Sequence, residues 1–127
     1  MMEPSIVELA SEANFAALTT LLPSGQPQTH IMWVHADDEH VIINTEVHRQ
    51  KFLNVQRDPR VTVAIWTADN PYSFAEVRGR VVETIRGPEA LDSINQLSNK
   101  YTGGDYKPEI QSERVILKIA PDRQIFR

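Results

Sequence analysis

The stretch Ile43–Val63, which reads INTEVHRQKFLNVQRDPRVTV, decides the fold of this chain. An apolar strand ends at Asn44–Thr45, and the cations Arg49 and Lys51 follow at the start of a short predicted helix. Such a corner between strand and helix brings a hydroxyl, an amide, free backbone N–H groups and two cations around one point. Helix N-termini carry unpaired donors and partial positive charge, so the corner favours an anion such as a phosphate. A phosphorylated cofactor, rather than a side chain, is then expected to supply the chemistry.

Arg49 and Lys51 lie two positions apart, so they do not share a face of an ideal helix. They converge on one anion only if Arg49 belongs to the corner and Lys51 to the helix itself. The alternative is a solvated basic face on a surface helix. The spacing alone leaves both interpretations open.

The composition indicates a soluble globular chain. It has 127 residues, of which 41% are hydrophobic and 24% charged, and this favours a single domain over residues 1–127. The net charge of -4 argues against a nucleic-acid binder. Cysteine is absent, which excludes disulfides and thiolate metal sites. No apolar run has the length of a membrane span and no signal-peptide pattern opens the chain, so a cytoplasmic location is expected.

Hydrophobic periodicity predicts six strands, with turn residues at most of their boundaries. They are expected at Asn14–Leu22, Gln28–Ala36, Val41–Thr45, Val61–Trp66, Tyr72–Ile85 and Arg114–Ala120. Three helices are expected, at Pro4–Ala13, at Val47–Gln56 and from Gly87 to about Lys100, and the last seven residues are expected to form a tail. Short turns between the early strands favour hairpins over parallel strands linked by helices. The predicted fold is therefore mainly β (α+β), a six-stranded antiparallel barrel, closed or nearly closed, with peripheral helices.

The four histidines form no recognisable metal or acid–base constellation. No pair has the i, i+4 spacing of a helical zinc site, and the chain has neither a G-x-S-x-G elbow nor a triad pattern. We therefore expect no catalytic side chain and no metal ligand. His30 could contact a ligand, because it lies on the strand beside the corner. Trp33 and Trp66 are expected in the core or an interface, or as walls against a planar ligand.

The strand around Ser73–Val81 alternates clearly between two faces. Glu76, Arg78 and Arg80 share the face opposite the predicted core. Cross-strand ion pairs on a solvated face explain such a row, and so does an interface across a two-fold axis.

Four segments in this order resemble the pyridoxamine 5′-phosphate oxidase-like superfamily, whose fold is the FMN-binding split β-barrel. They are AALTTLLPSGQPQTHIMWV at 16–34, the stretch 43–63, NPYSFAEVRGRV at 70–81 and KYTGGD at 100–105. The resemblance spans nearly the whole chain. The R-x-K-x-x-N-V-x-R-D-P-R-V run and the K-Y-x-G-x-D segment are most similar to the branch that binds the deazaflavin coenzyme F420.

The resemblance also implies a cofactor site. Its phosphate would be held by Thr45, Arg49, Gln50 and Lys51, next to Asn44 at the end of the same strand. The ring would lie along His30, Ile31, Met32 and Trp33, and Trp66 would approach it from a neighbouring strand. The tripeptide Arg49–Lys51 departs from the Ser-Arg-Lys-like pattern of true pyridoxamine phosphate oxidases. The C-terminal segment 121–127 also lacks their basic motif, so vitamin B6 oxidation is not expected.

The function implied is a homodimeric F420-dependent oxidoreductase that transfers a hydride to a small organic acceptor. The alternatives are an FMN-dependent pyridoxamine phosphate oxidase-like protein and a carrier that binds a flavin, a deazaflavin or a haem without turnover. Lys100 and Lys107 flank the Gly103–Gly104 loop and could border a path for the longer deazaflavin tail. The sequence does not identify the acceptor.

Overall fold

A curled antiparallel sheet of seven strands forms the framework of the protein. The computed structural model describes residues 1–127. The strands are β1 Phe15–Leu21, β2 Pro27–Met32, β3 His35–Ala36, β4 Val41–Glu46, β5 Arg60–Trp66, β6 Phe74–Arg86 and β7 Arg114–Phe126. The helices are α1 Pro4–Ser11, α2 Gln50–Arg57 and α3 Pro88–Thr102. None of the helices is long and apolar enough to cross a membrane.

The strand order is β2-β1-β5-β6-β7-β4-β3, and all neighbouring strands are antiparallel. The sheet curls into a half-barrel whose interior is the hydrophobic core. Aliphatic side chains of β1, β4, β5, β6 and β7 alternate into that core, as expected for strands with one buried face. Ile6 and Ala10 of α1 and Phe52 and Val55 of α2 close it from the helical side.

The predicted mainly β antiparallel fold is confirmed, but the second predicted strand is two strands. Gln28–Ala36 is interrupted after Met32, and β3 begins at His35. Val34 turns fully into the core, and its N–H donates to the Tyr101 hydroxyl (3.2 Å) instead of to a neighbouring strand. A side chain distant in sequence therefore ends the strand, which a local alternation pattern does not reveal.

Two further boundaries differ from the sequence prediction. The segment 121–127 is not a tail, because β7 continues to Phe126 and pairs with the early part of β6. Pro121 indicates a strand end in a local interpretation, but here it lies at an irregularity in the β6–β7 register, where a missing N–H is tolerated. The helix predicted from Val47 begins at Gln50, since the residues before it remain a turn.

The bulge between β6 and β7 depends on Gly79. The register shifts between Arg78 and Gly79, opposite Pro121. A Cβ atom at Gly79 would overlap the carbonyl oxygen of Ala120 and crowd Ile119. Only glycine allows the two longest strands to approach this closely.

A buried polar network connects β4, β7 and α3. The carboxylate of Glu46 accepts hydrogen bonds from the N–H groups of Gln111 and Ser112 (2.8 Å each) and faces Arg114 at 3.4 Å. Arg114 donates to Asn44 Oδ1 (2.8 Å), and the Asn44 amide donates to the carbonyl of Ala90 in α3 (2.9 Å). The network therefore fixes α3 against the two strands that carry it.

We expect Gly79→Ala to lower the free energy of unfolding by about 3 kcal/mol, because β6 and β7 must separate to admit the methyl group. Urea denaturation measures the change. Gly104→Ala is the matched control, since a Cβ there meets no atom within 4 Å. Equal stability of the two variants would contradict the close approach of Gly79 to Ala120.

We expect Glu46→Gln to cost about 3 kcal/mol near neutral pH, since it leaves the buried Arg114 without its carboxylate. Burial alone would raise the pKa of Glu46, but the N–H groups of Ser112 and Gln111 and the charge of Arg114 lower it below its ordinary value. The carboxylate's contribution to stability is therefore present above the unfolded-state pKa of about 4.3 and is lost as the pH falls through the lower folded-state pKa.

Urea midpoints of wild type and Glu46→Gln should converge as the pH is lowered through this range. Glu113→Gln is the control, because Glu113 pairs with Arg86 at the surface, where both side chains are about half exposed. A pH-independent difference for Glu46→Gln, or the same loss in Glu113→Gln, would contradict the role of this carboxylate.

Candidate functional site

A groove of about 310 Å³ lies between the sheet, the start of α2 and one face of α3. Its polar end is the corner between β4 and α2, and its apolar end runs from the end of β2 to α3. Its lining residues are Ile31, Met32, Trp33, Asn44, Thr45, Arg49, Lys51, Ile94, Leu97, Tyr106 and Arg114.

Buried contacts hold α2 at the corner. Phe52 and Val55 pack into the core, and the buried Asn54 donates to the Thr20 hydroxyl of β1 at 2.9 Å. Arg49 is the N-cap residue with extended backbone, and Lys51 is the second residue of the helix. The two side chains can therefore reach the same groove, which is the condition that the sequence left open. No side chain caps α2, and the N–H groups of Phe52 and Leu53 donate to the Arg49 carbonyl, so Gln50 and Lys51 carry the first-turn N–H groups without a partner.

Three cations meet at this corner with one carboxylate among them. Arg114 pairs with the buried Glu46, whereas Arg49 and Lys51 make no ion pair and no side-chain hydrogen bond within the chain. Lys51 is nevertheless only 7% exposed. Desolvation, followed by the charges of Arg49 and Arg114, lowers the pKa of Lys51. An anion at the corner would neutralise this excess positive charge.

An aromatic wall extends from the corner along the groove. Trp33 stacks on Tyr101, with ring centres 5.2 Å apart and planes 7° from parallel. The edge of Tyr106 meets Trp33 at 6.3 Å, and the Arg114 guanidinium lies over the Tyr106 ring at 5.2 Å. The aromatic wall therefore adjoins the cationic corner through Arg114, and a flat ring joined to a phosphate matches this order of surfaces.

Most of the residues predicted for the cofactor line the groove together, and these are Ile31, Met32, Trp33, Asn44, Thr45, Arg49 and Lys51. The other three do not. His30 is exposed on β2, and desolvation and the charges of Lys51 and Arg49 lower its pKa. Gln50 donates to Asn54 on its own helix (2.8 Å). Trp66 packs against Phe15, with ring centres 6.0 Å apart, outside the groove.

The sequence prediction missed four lining residues, namely Ile94, Leu97, Tyr106 and Arg114. The spacing of Ile94 and Leu97 indicates a buried face of α3, but not what that face packs against. Arg114 lies directly opposite Glu46 on β4. Opposite charges at paired positions would indicate Arg114 as a site residue, but only once the register between β4 and β7 is known. Tyr106 lies in an irregular loop and has no local signal.

A second cavity of about 430 Å³ lies on the other side of α3. Leu97 lines both cavities, and Lys100 lines only the second one. The Lys100 ammonium group donates to the carbonyl oxygens of Ala10 (2.9 Å) and Val34 (2.5 Å). Lys100 therefore does not face the groove, contrary to its expected place beside a cofactor tail.

Solved structures with the same architecture include proteins with different described roles. One described as an F420 reductase is 29% identical, has a TM-score of 0.82 and covers 93% of this chain and 94% of its own. A conserved hypothetical protein of Mycobacterium tuberculosis is 28% identical, with a TM-score of 0.76 and coverages of 98% and 82%. The haem storage protein HutZ of Vibrio cholerae is 10% identical, with a TM-score of 0.68 and coverages of 98% and 93%, and shares the fold alone.

No protein with a curated description matches the sequence significantly. A family model does, and its description is pyridoxamine 5′-phosphate oxidase. The match runs from residue 2 to residue 126, so it includes every strand, both groove-lining helices and the cationic corner. The chain therefore belongs to the pyridoxamine 5′-phosphate oxidase family.

Proposed function

We propose that this protein is an F420-dependent oxidoreductase that binds the deazaflavin in the groove and reduces a small organic acceptor. The observation that carries the proposal is the cationic corner, where Arg49 and Lys51 lack any carboxylate partner while Lys51 is buried. An excess of positive charge in a partly buried site favours the binding of an anion. The 29% identity to a structure described as an F420 reductase favours a deazaflavin as the molecule that carries it.

The residues present fit such a cofactor in two separate places. Arg49, Lys51 and Thr45, with the first-turn N–H groups of α2, would hold the phosphate. Ile31–Trp33 and the apolar side chains of α3 would bind the ring. When bound, a deazaflavin supplies hydride from its C5 position.

The chain's own contribution is binding, orientation and exclusion of water. The groove side of α3 offers Ile94 and Leu97, which are both nearly buried, and these keep the ring end apolar. The cationic corner fixes the other end of the cofactor, so the two contacts together set its orientation. The proposed hydride transfer from the cofactor needs no dedicated acid or base among the side chains.

FMN remains the second candidate, because the corner suits the terminal phosphate of either cofactor. Coenzyme F420 continues beyond its phosphate into a lactate and glutamate tail, so it needs cations on an open path. Arg49 is exposed at the rim of the corner and makes no ion pair, so its guanidinium could contact both the phosphate and the start of that tail. Arg57 is not available in the same way, because its guanidinium donates to the carbonyl of Leu21.

The outer face of β1, β2 and β5 supports the proposed homodimer. Phe15 and Trp66 pair across β1 and β5, and Ile31 on β2 is opposite Ala17. Phe15 is 45% exposed and Ile31 is 63% exposed. Ile31 also lines the groove, so a second subunit seated on this face would cover one side of the cofactor site.

We expect a stable dimer at micromolar concentration, with a total interface of at least about 1,000 Å². Phe15→Glu should shift sedimentation towards the monomer, because it places a charge in an apolar interface. Leu91→Glu is the control, since Leu91 is exposed to the same degree (44%) on α3, which packs against β4, β6 and β7. A wild-type monomer, or equal dissociation of both variants, would contradict the proposed interface.

We expect coenzyme F420 to bind more tightly than FMN, and Lys51→Ala to weaken F420 binding by about 1.5–3 kcal/mol, the range for a charge-assisted hydrogen bond. Folding stability should not fall, since the substitution removes a buried cation that repels Arg49 and Arg114. Fluorescence titrations at low and high salt measure both effects, and the preference for F420 should shrink as salt rises.

Lys118→Ala is the control for this titration, because Lys118 lines the second cavity and not the groove, and it pairs with Glu83 at 3.9 Å. Tighter binding of FMN at both salt concentrations would assign the protein to the flavin-dependent alternative. Equal dissociation constants for wild type and Lys51→Ala would remove the corner from the site.

A further inference from the structure

Residues Trp33–Val34 form a joint in the sheet that no strand supports. The last pair of β2 with β1 is Met32 with Ala16, and the first pair of β3 with β4 is His35 with Ile42. Val34 is fully buried, so its backbone N–H and carbonyl groups need partners within the protein. Trp33 forms part of the aromatic wall of the groove, and this joint therefore sets the position of that wall.

Two consecutive residues at the end of α3 provide those partners. The Tyr101 hydroxyl accepts the N–H of Val34 (3.2 Å) and donates to the carbonyl of Asn14 (2.6 Å). The Lys100 ammonium group donates to the carbonyl of Val34 (2.5 Å) and to that of Ala10 at the end of α1 (2.9 Å). Both polar groups of Val34 are thereby satisfied, and the joint is attached to α1 and α3 at once.

Tyr101 also contacts the indole of Trp33 directly. The ring of Tyr101 stacks on it at 5.2 Å, so one residue holds both the backbone of the joint and its groove-facing side chain. Lys100 is half-buried, and no carboxylate lies within 4.0 Å of its ammonium group. Desolvation lowers the pKa of Lys100 to about 8. The two carbonyl hydrogen bonds offset this unfavourable burial, and one of them is made to the joint.

We propose that Lys100 and Tyr101 are positioning residues, which hold the Trp33–Val34 joint so that the aromatic wall is in place before a ring enters the groove. The proposal rests on the proposed function only for the identity of the ligand. If α3 did not hold the joint, the joint would occupy its binding position for only part of the time. The apparent affinity for a ring would be multiplied by the fraction of molecules with the joint in place. The cationic corner lies on β4, α2 and β7, and neither Lys100 nor Tyr101 donates a hydrogen bond to these elements.

The test uses the full chain with Trp66→Phe, so that Trp33 is the remaining tryptophan. Tyr101→Phe keeps the stacked ring and removes the hydroxyl, whereas Lys100→Met keeps the aliphatic stem and removes the donors. In the free protein both variants should red-shift the emission of Trp33 and increase its quenching by acrylamide. The affinity for coenzyme F420 should fall about tenfold, as for a joint that is in place about a tenth of the time. Binding of inorganic phosphate, followed by ³¹P line broadening, should not change.

Asn99→Ala is the matched control, because its amide makes two hydrogen bonds at the same end of α3, to Asn95 and Asp105, and none to the joint. Wild-type emission and quenching of Trp33 in both Tyr101→Phe and Lys100→Met would overturn the proposal. Equal changes in Asn99→Ala would also overturn it, since they would reflect general loosening of α3. If the wild type binds no F420, the proposed function fails, but the Trp33 measurements still decide the positioning role.

Discussion

The concentration of positive charge at the corner between β4 and α2 is the constraint on which the rest of the site depends. Arg49, Lys51 and Arg114 share one groove, and Glu46 is the carboxylate that pairs with one of them. Burial of Lys51 without a partner costs free energy, which would be recovered if the proposed anion binds. Under the proposed function, the corner is therefore an anion site that the fold preorganises.

The same corner is structurally coupled to the aromatic wall. Arg114 contacts Glu46 and Asn44 on one side and the ring of Tyr106 on the other, and Tyr106 touches Trp33. Arg114 therefore joins the sheet network to the aromatic wall, and in the proposed function it sets the distance between the anion and the ring. The same fold also occurs in a haem storage protein, so the fold alone does not identify the ligand. The side chains that line the groove distinguish one ligand from another better.

Local sequence patterns predicted the parts of the site that are close together in the chain. Arg49 and Lys51 follow the strand that carries Asn44 and Thr45 within seven residues, and the structure brings all four into the groove. The mainly β antiparallel fold follows from alternation and turn chemistry in the same way. The resemblance of the ordered segments to the family is confirmed by the match over residues 2–126.

Features that depend on residues far apart in the chain could not be predicted from local sequence patterns. Arg114 enters the site through the pairing of β4 with β7, and Tyr101 ends β2 through a hydrogen bond to a residue 67 positions earlier. Pro121 predicts the start of a tail in a local interpretation, because the compensating bulge at Gly79 lies on another strand. In each case the missing information is the register between elements, which local periodicity does not contain.

Native mass spectrometry of the protein, purified from cells that make both coenzyme F420 and FMN, tests the central claim most directly. The technique reports the mass of the bound molecule and the number of chains that hold it. We expect a dimer that retains one deazaflavin per chain, with a lower occupancy in Lys51→Ala. Retention of FMN or haem instead, or the same deazaflavin occupancy in Lys51→Ala as in the wild type, would contradict the proposed function.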